Sequence, residues 1–154
     1  MLTFFTSYLN NLQELHDEIR NAIKGLSQSA LGWTSLPDMN SVSVLVIHLT
    51  GAERYWIGDV IAGEPSGRDR ECEFKTKALS EGELIQHLIE NEKYIERILE
   101  RLILQDLEEK HISPRNGREV TAGWALGHVL KHTALHVGHI QIMRQLWEQS
   151  QTKQ

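Results

Sequence analysis

The stretch from residue 122 to residue 148 carries four of the chain's eight histidines. These are His128, His132, His136 and His139, and their spacings of four, four and three place side chains on one face of a helix. At about 100° per residue, all four imidazoles project within roughly 80° of one another. The sequence therefore predicts a helix with a stripe of imidazoles along one side.

Apolar residues occupy the same arc of this helix. They are Ala125, Leu135, Ile142, Met143 and Leu146. Because a helix buries its apolar stripe, several imidazoles are expected in or beside a core, where each nitrogen needs a partner. Neutral imidazole nitrogens that converge on one point are good ligands for a transition metal.

The composition excludes several classes of protein. The chain has 154 residues, of which 40% are apolar and 24% charged, and its formal net charge is −5. We expect one domain over residues 1–154, without the basic patch of a nucleic-acid-binding protein. No apolar run reaches membrane-spanning length, and the N-terminus lacks the positive region of a signal peptide. Cys72 is the only cysteine, so no internal disulfide can form, and we expect a cytoplasmic protein.

Three further segments repeat apolar residues every three or four positions, as amphipathic helices do. They cover residues 3–25, about 41–62 and about 80–102. Ser41 or Ser43 can cap the second segment, and Ser80 with Glu83 predicts a capping box before the third. With the histidine-bearing helix, these segments predict an all-α protein, a four-helix bundle. The connection after the second segment is long enough to cross the bundle, which would let helices two and three run parallel.

A turn signal stands in the last long connection. Asn116-Gly117 lies between the apolar residues Ile112 and Val120. Because Asn-Gly favours a tight two-residue turn, a short hairpin-like excursion is predicted there.

The histidine-bearing helix has a second apolar row, formed by Leu126, Leu130 and Val137, on the side away from the histidines. A row of this kind indicates either wide burial or a subunit contact. We expect an isologous homodimer through this row. The alternative is that the long loops cover it, with Trp33 or Ile112 as the covering side chain.

The histidines predict a mononuclear metal site. His132 and His136, one helical turn apart, can bind one metal from a single helix, and His48 is the best third ligand. His48 is the mid-helix histidine placed on a core face elsewhere in the chain, whereas His87 and His111 are expected to be exposed. Three ligands leave a coordination position open, which is typical of a catalytic or ligand-exchanging site.

The sequence leaves open what the other residues near this site do. His128 and His139 can be hydrogen-bonding partners of the ligands, a fourth ligand, or an acid or base that faces a substrate. On helix two, Tyr55 and Asp59 lie nearer the direction of His48, while Glu53 points further round.

The competing interpretation is that the histidines are core residues that bond to one another, to water or to carbonyls. The motif H-x-x-x-H is weak by itself. The glutamate of the H-E-x-x-H zinc motif is absent, and so are the paired Glu-x-x-His motifs of di-iron bundles. Both absences favour one metal ion held by histidines alone.

Two stretches, SVSVLVIHLTGAERYW at 41–56 and HVLKHTALHVGHIQIMRQL at 128–146, carry a family resemblance, together with Leu31-Gly32-Trp33 and Gly117-Arg118-Glu119-Val120. The chain resembles the DinB-like superfamily of bacterial metal-binding four-helix bundles. The resemblance implies an up-down-down-up bundle and a metal triad of one histidine on helix two and an H-x-x-x-H pair on helix four. Carried over, these are His48, His132 and His136. His139 stands where many relatives have glutamine.

The same resemblance implies a class of chemistry. Some relatives look like thiol-dependent transferases or isomerases that use bacillithiol, mycothiol or glutathione. We therefore expect a metal-dependent thiol S-transferase of the bacillithiol type, with zinc or nickel as the ion and a small thiol and an electrophile as substrates. A metal-dependent hydrolase and a non-enzymatic metal- or ligand-binding stress protein are the alternatives. No catalytic residue is assigned, and His139, His128 and Tyr55 are candidates for residues that support the metal ligands.

Overall fold

A computed structural model describes residues 1–152. The α-helices are α1 (Thr3–Ile23), α2 (Gln28–Leu31), α3 (Val42–Arg54), α4 (Arg70–Glu73), α5 (Glu81–Leu99) and α6 (Ala122–Thr152). A π-helical segment, Tyr55–Ala62, continues α3, and a 3-10 segment, Leu104–Glu108, follows α5. Two short strands, β1 (Lys110–Ile112) and β2 (Glu119–Thr121), pair antiparallel. The all-α prediction is confirmed, and so is the hairpin around Asn116-Gly117.

The helix starts follow the capping residues in the sequence. The Ser41 hydroxyl accepts a hydrogen bond from the Val44 N–H and begins α3. Ser80 and Glu83 form the predicted capping box before α5. Ser43, the other cap candidate, is buried inside α3, where its hydroxyl accepts from the backbone N–H of Leu79.

α1 and α6 run parallel to each other. The Tyr8 hydroxyl donates to the Leu126 carbonyl near the start of both helices, and Gln141 donates to Glu18 further along both. α3 and its π-helical continuation run antiparallel to α6, because His48 contacts His136, whereas Trp56, further along the chain, contacts Trp124 near the start of α6.

α3 and α5 are parallel neighbours. Ser43 contacts Leu79 at one end of the pair, and Asn91 donates to Glu53 further along both helices. Because α1 and α6 point one way and α3 and α5 the other, the bundle has the expected up-down-down-up order. The connection from Gly63 to Ser80 makes this possible by crossing the length of the bundle, as predicted.

The apolar core lies in two clusters at the two ends of the bundle. One cluster gathers Phe5, Leu12, Ile57, Ile95, Ile98, Leu99, Ala125 and Val129. The other gathers Ile19, Ile23, Leu31, Val46, Leu49, Leu84, Leu88 and Ile140.

Between these clusters all four long helices contribute to a buried polar layer. It consists of His16 from α1, Glu53 from α3, Asn91 from α5 and Thr133 from α6, none more than 3% exposed. Glu53 accepts hydrogen bonds from Asn91 at 2.5 Å and Thr133 at 2.6 Å, and its carboxylate lies 3.1 Å from His16 Nε2. Since each of these groups is partnered, the layer fixes how the four helices align.

The prediction that the apolar row on α6 forms a dimer interface is wrong. Leu126 and Val137 are buried in the two apolar clusters, and Leu130 packs against the first of them. Leu135 and Ile142, expected on the buried side, are instead 58% and 52% exposed. The histidine stripe thus lies at the edge of the buried face, and a contact between subunits cannot use the predicted row. Trp33 packs edge-on against Trp147 and against the second apolar cluster, which contains Val137.

No helix within residues 1–152 is long and apolar enough to cross a membrane.

Candidate metal centre

Three imidazoles from two antiparallel helices meet on one side of the bundle. One ring nitrogen each from His48, His132 and His136 lies within 4.8 Å of the other two. The His48 ring centroid is 5.1 Å from each of the other two centroids, and Nε2 of His132 is 3.2 Å from Nε2 of His136. In the described part of the chain this is the only group of three or more potential metal ligands at such distances.

A buried carboxylate holds the His48 ring. Glu73, on the short helix α4, lies 2.9 Å from Nδ1 of His48. The Arg68 guanidinium donates to both oxygens of the same carboxylate, at 2.6 and 2.9 Å. Burial alone would raise the pKa of Glu73, but hydrogen bonds from His48 and Arg68 outweigh it and lower that pKa. The ionised carboxylate keeps the proton of His48 on Nδ1, so that Nε2 carries its lone pair toward the other two rings.

His132 and His136 are held neutral at physiological pH. Burial, followed by the neighbouring imidazoles of His136 and His48, lowers the pKa of His132 to about 3. Burial and the nearby His48 and His139 lower the pKa of His136 to about 4. A protonated imidazole cannot bind a metal, so both rings are in the form that a metal ion requires.

The donor set fits a divalent transition metal. Three imidazoles converge, and the Nε2 atoms of His132 and His136, 3.2 Å apart, can share only one proton, so that at least one of them carries a lone pair. Nδ1 of His132 is also buried without a hydrogen-bond partner among residues 1–152. Three histidine ligands are the set found in catalytic zinc sites that keep one position open.

His139 is placed as a partner of a triad residue. Its Nδ1 lies 3.4 Å from Nδ1 of His136, the nitrogen that does not face His132. This contact orients the His136 ring in the way that a hydrogen-bonding neighbour orients a metal ligand.

His128 lies one turn further from the triad. Its ring stacks on Trp124 at 4.9 Å with an angle of 12°, and its centroid is 5.9 Å from that of His132. Trp56 packs edge-on against both His128 and Trp124. This aromatic group forms the wall of the centre on the side of the first apolar cluster.

Tyr55 and Asp59 do not contact the triad but line a neighbouring cleft of about 790 Å³. The Tyr55 hydroxyl pairs with Ser113 at 2.6 Å and accepts from the backbone N–H of Arg115. Asp59 accepts from the backbone N–H of Ser66. Glu53 belongs to the buried layer, in line with its predicted direction away from His48.

Sequence reasoning missed the residues that hold His48 and one member of the buried polar layer. Glu73 and Arg68 lie in a polar connection without periodicity, so no pattern placed them beside His48. His16 was missed although it shares the apolar face of α1 with Leu12 and Ile19, which was a readable signal.

The sequence model of the mycothiol-S-transferase family matches residues 8–149. The chain belongs to this family. The match covers nearly all of the chain and includes the three clustered histidines. It agrees with the DinB-like resemblance seen in the sequence. No curated protein matches the chain.

Two solved structures are similar to this member of the mycothiol-S-transferase family. A conserved protein from Enterococcus faecalis aligns with a TM-score of 0.78 over 95% of this chain and 98% of its own, at 14% identity. A protein from Streptococcus pneumoniae aligns with a TM-score of 0.67 over 94% of this chain and 90% of its own, also at 14% identity. At such low identity these similarities concern the fold alone.

Proposed function

We propose that this protein is a metal-dependent thiol S-transferase whose metal ligands are His48, His132 and His136. The observation that carries the proposal is the convergence of three imidazole nitrogens within 4.8 Å in a chain of the mycothiol-S-transferase family. The family supports the thiol chemistry, and the donor set supports a single divalent ion, zinc or nickel. A bacillithiol-type thiol remains the proposed cosubstrate class.

The bound ion would lower the pKa of a thiol and so supply thiolate near neutral pH. The chain's own residues prepare the site for this chemistry. Glu73 fixes the tautomer of His48, and Arg68 keeps Glu73 ionised and in place. His139 orients His136 from the opposite side.

The polypeptide also restricts water around the site. His48 is 6% exposed, and the Phe74 ring packs 4.8 Å from its centroid. Trp56, Trp124 and His128 cover the neighbouring turn of α6. A nucleophile in a partly dry site is less solvated and therefore more reactive.

The proposal is tested by a transfer assay with zinc- or nickel-loaded protein, low-molecular-weight thiols and a chromogenic electrophile. We expect a rate that depends on both metal and thiol, and that falls at least about a hundredfold in His132→Gln. The exposed His87→Gln is the matched control and should retain the parent rate. The proposal is overturned if the metal-loaded parent protein does not accelerate transfer from any of the thiols.

A further inference from the structure

A small apolar pocket lies at the end of the histidine stripe that His139 occupies, where α6 passes the start of α3. Its apolar walls are formed by Met39, Leu45, Ile142 and Met143, and its volume is about 220 Å³. An apolar cavity of about 150 Å³ is enough to bind benzene. The pocket therefore has room for one substituted ring or a short alkyl chain.

The floor of this pocket belongs to the core, whereas its outer wall is exposed. Leu45 and Met143 are 4% and 3% exposed and are part of the second apolar cluster. Ile142 is a large apolar side chain, yet it is 52% exposed. An exposed apolar side chain beside a concave apolar floor is typical of a ligand site.

Two methionines give the pocket an adaptable shape. Met39 lies in the loop before α3, and its Sδ accepts a hydrogen bond from the Ser35 hydroxyl at 2.9 Å. Met143 contributes the second sulfur from α6. Because methionine side chains are unbranched and fill irregular gaps, the pocket can accept apolar groups of more than one shape.

The pocket adjoins the proposed metal centre. On α3, Leu45 lies about one turn before His48. On α6, His139 lines the pocket, and its Nδ1 lies 3.4 Å from Nδ1 of His136. Since one helical turn is about 5.4 Å long, an apolar group in the pocket lies within reach of a reactant at the centre.

The cleft on the other side of the centre has a different character. It is lined by Asp59, Arg68, Arg70 and Arg115, among others. An apolar group is disfavoured there, because the charged side chains would lose water without gaining hydrogen-bonding partners. The pocket beside His139 is therefore the better place for an apolar reactant.

We infer that the pocket beside His139 binds the apolar body of the electrophile, an alkylating agent with a benzylic or short alkyl group. The inference rests on the proposed function and deepens it by naming the class of the second substrate. In the reaction, a bond forms between the thiol sulfur and the electrophilic carbon. The bond from that carbon to the leaving group breaks, the leaving group departs with the electron pair as an anion, and the thiol proton passes to water. Met39 and Ile142 are specificity residues in this assignment.

The probe is 4-fluorobenzyl alcohol, because it keeps the ring and the CH₂ group of a benzylic electrophile but does not alkylate thiols. Fluorine NMR titration of the zinc-incubated parent protein should show binding with a dissociation constant of about 1 mM, as expected for a ligand of this size. The companion probe 2-fluoroethanol keeps the fluorine and the hydroxyl group but lacks the ring, and it should not bind. Binding of 4-fluorobenzyl alcohol should be at least about fivefold weaker in Ile142→Asn and in Met39→Gln.

Leu135→Asn is the matched control. Leu135 is 58% exposed, lies about two turns before Ile142 on α6 and does not line the pocket, so this variant should bind the probe as the parent does. The inference is overturned by a parent protein that does not bind 4-fluorobenzyl alcohol at about 10 mM. Binding that Ile142→Asn leaves unchanged, or that Leu135→Asn weakens equally, overturns it as well.

A second copy of the chain is the other occupant that this exposed face could take. Light scattering distinguishes the two: a dimeric parent that becomes monomeric in Ile142→Asn, but not in Leu135→Asn, assigns the face to self-association and overturns the inference. Because the titration involves no turnover, its result is separate from the transfer assay. A parent protein that binds the probe but transfers no thiol contradicts the proposed function alone. One that transfers thiols but does not bind the probe contradicts the pocket assignment alone.

Discussion

The Glu73 carboxylate lies 2.9 Å from Nδ1 of His48, and this contact joins the crossover connection to the metal centre. Both side chains are 7% exposed. The carboxylate sets the tautomer and orientation of the one proposed ligand that comes from α3, whereas the other two share a single turn of α6. The placement of α4 is therefore part of the geometry of the site.

Glu73→Gln should weaken metal binding by about tenfold to a hundredfold, because a neutral amide holds the imidazole less firmly and no longer pairs with Arg68. Competition titration with a chromophoric chelator measures the affinity. Glu71→Gln, an exposed change on the same short helix, is the control and should leave the affinity as it is. Equal affinities for Glu73→Gln and the parent would show that the carboxylate does not support the site.

The buried His16 should make stability depend on pH. Burial opposes its protonation, but Glu53 and Glu92 outweigh burial and raise the pKa of His16 to about 9 from 6.5. A raised folded-state pKa contributes stability that is fully present below about pH 6.5 and is lost as pH rises through about 9. The contribution is about 3 kcal/mol.

Urea unfolding between pH 6 and pH 10 tests this dependence. The free energy of unfolding of the parent should fall across the upper part of the range, and His16→Gln should be less stable at pH 6 with a smaller fall. His87→Gln should follow the parent. If the free energy of unfolding falls equally with pH in the parent and in His16→Gln, then His16 is not the group whose proton stabilises the fold.

Gly58→Ala should lower the free energy of unfolding by about 1–3 kcal/mol. A Cβ at Gly58 would overlap the Tyr94 hydroxyl and ring, and that ring is itself held under the Arg54 guanidinium at 4.1 Å. Gly127→Ala is the matched helical control. A Cβ there meets nothing within 4 Å, so this change should raise stability by up to about 1 kcal/mol. Thermal and urea unfolding measure both, and a Gly58→Ala protein as stable as the parent contradicts the close packing.

Leu126 and Leu135 lie on the same helix and should respond very differently to truncation. Leu126 is 2% exposed within the first apolar cluster, so Leu126→Ala should cost about 2–5 kcal/mol. Leu135 is 58% exposed, and Leu135→Ala should change stability by less than about 0.5 kcal/mol. Similar losses in the two variants would mean that Leu135 is covered in solution.

The cluster of His48, His132 and His136 followed from local patterns, whereas the bundle order was implied by the family resemblance and by the length of the middle connection. The histidine spacings on α6 determine one face of one helix, and the mid-helix position of His48 left few other partners. The Ser80–Glu83 capping box and the Asn116-Gly117 turn were readable for the same reason, because their geometry depends on adjacent residues.

Features that depend on tertiary placement could not be read in this way. Glu73 reaches His48 only because the crossover folds back over α3, and no spacing records that path. Leu126 and Leu135 are both apolar. Which of them is buried depends on the orientation of α6 about its own axis in the bundle. The buried pairing of His16 with Glu53 likewise joins residues 37 positions apart.

Metal stoichiometry of protein purified without a histidine tag tests the central claim most directly. After incubation with zinc or nickel and dialysis, elemental analysis should find about one ion per chain in the parent and in His87→Gln. His48→Gln, His132→Gln and His136→Gln should each retain little metal while remaining folded by circular dichroism. A folded parent that holds no ion, or a His132→Gln protein that holds as much as the parent, would contradict the assignment of these three histidines as the metal ligands.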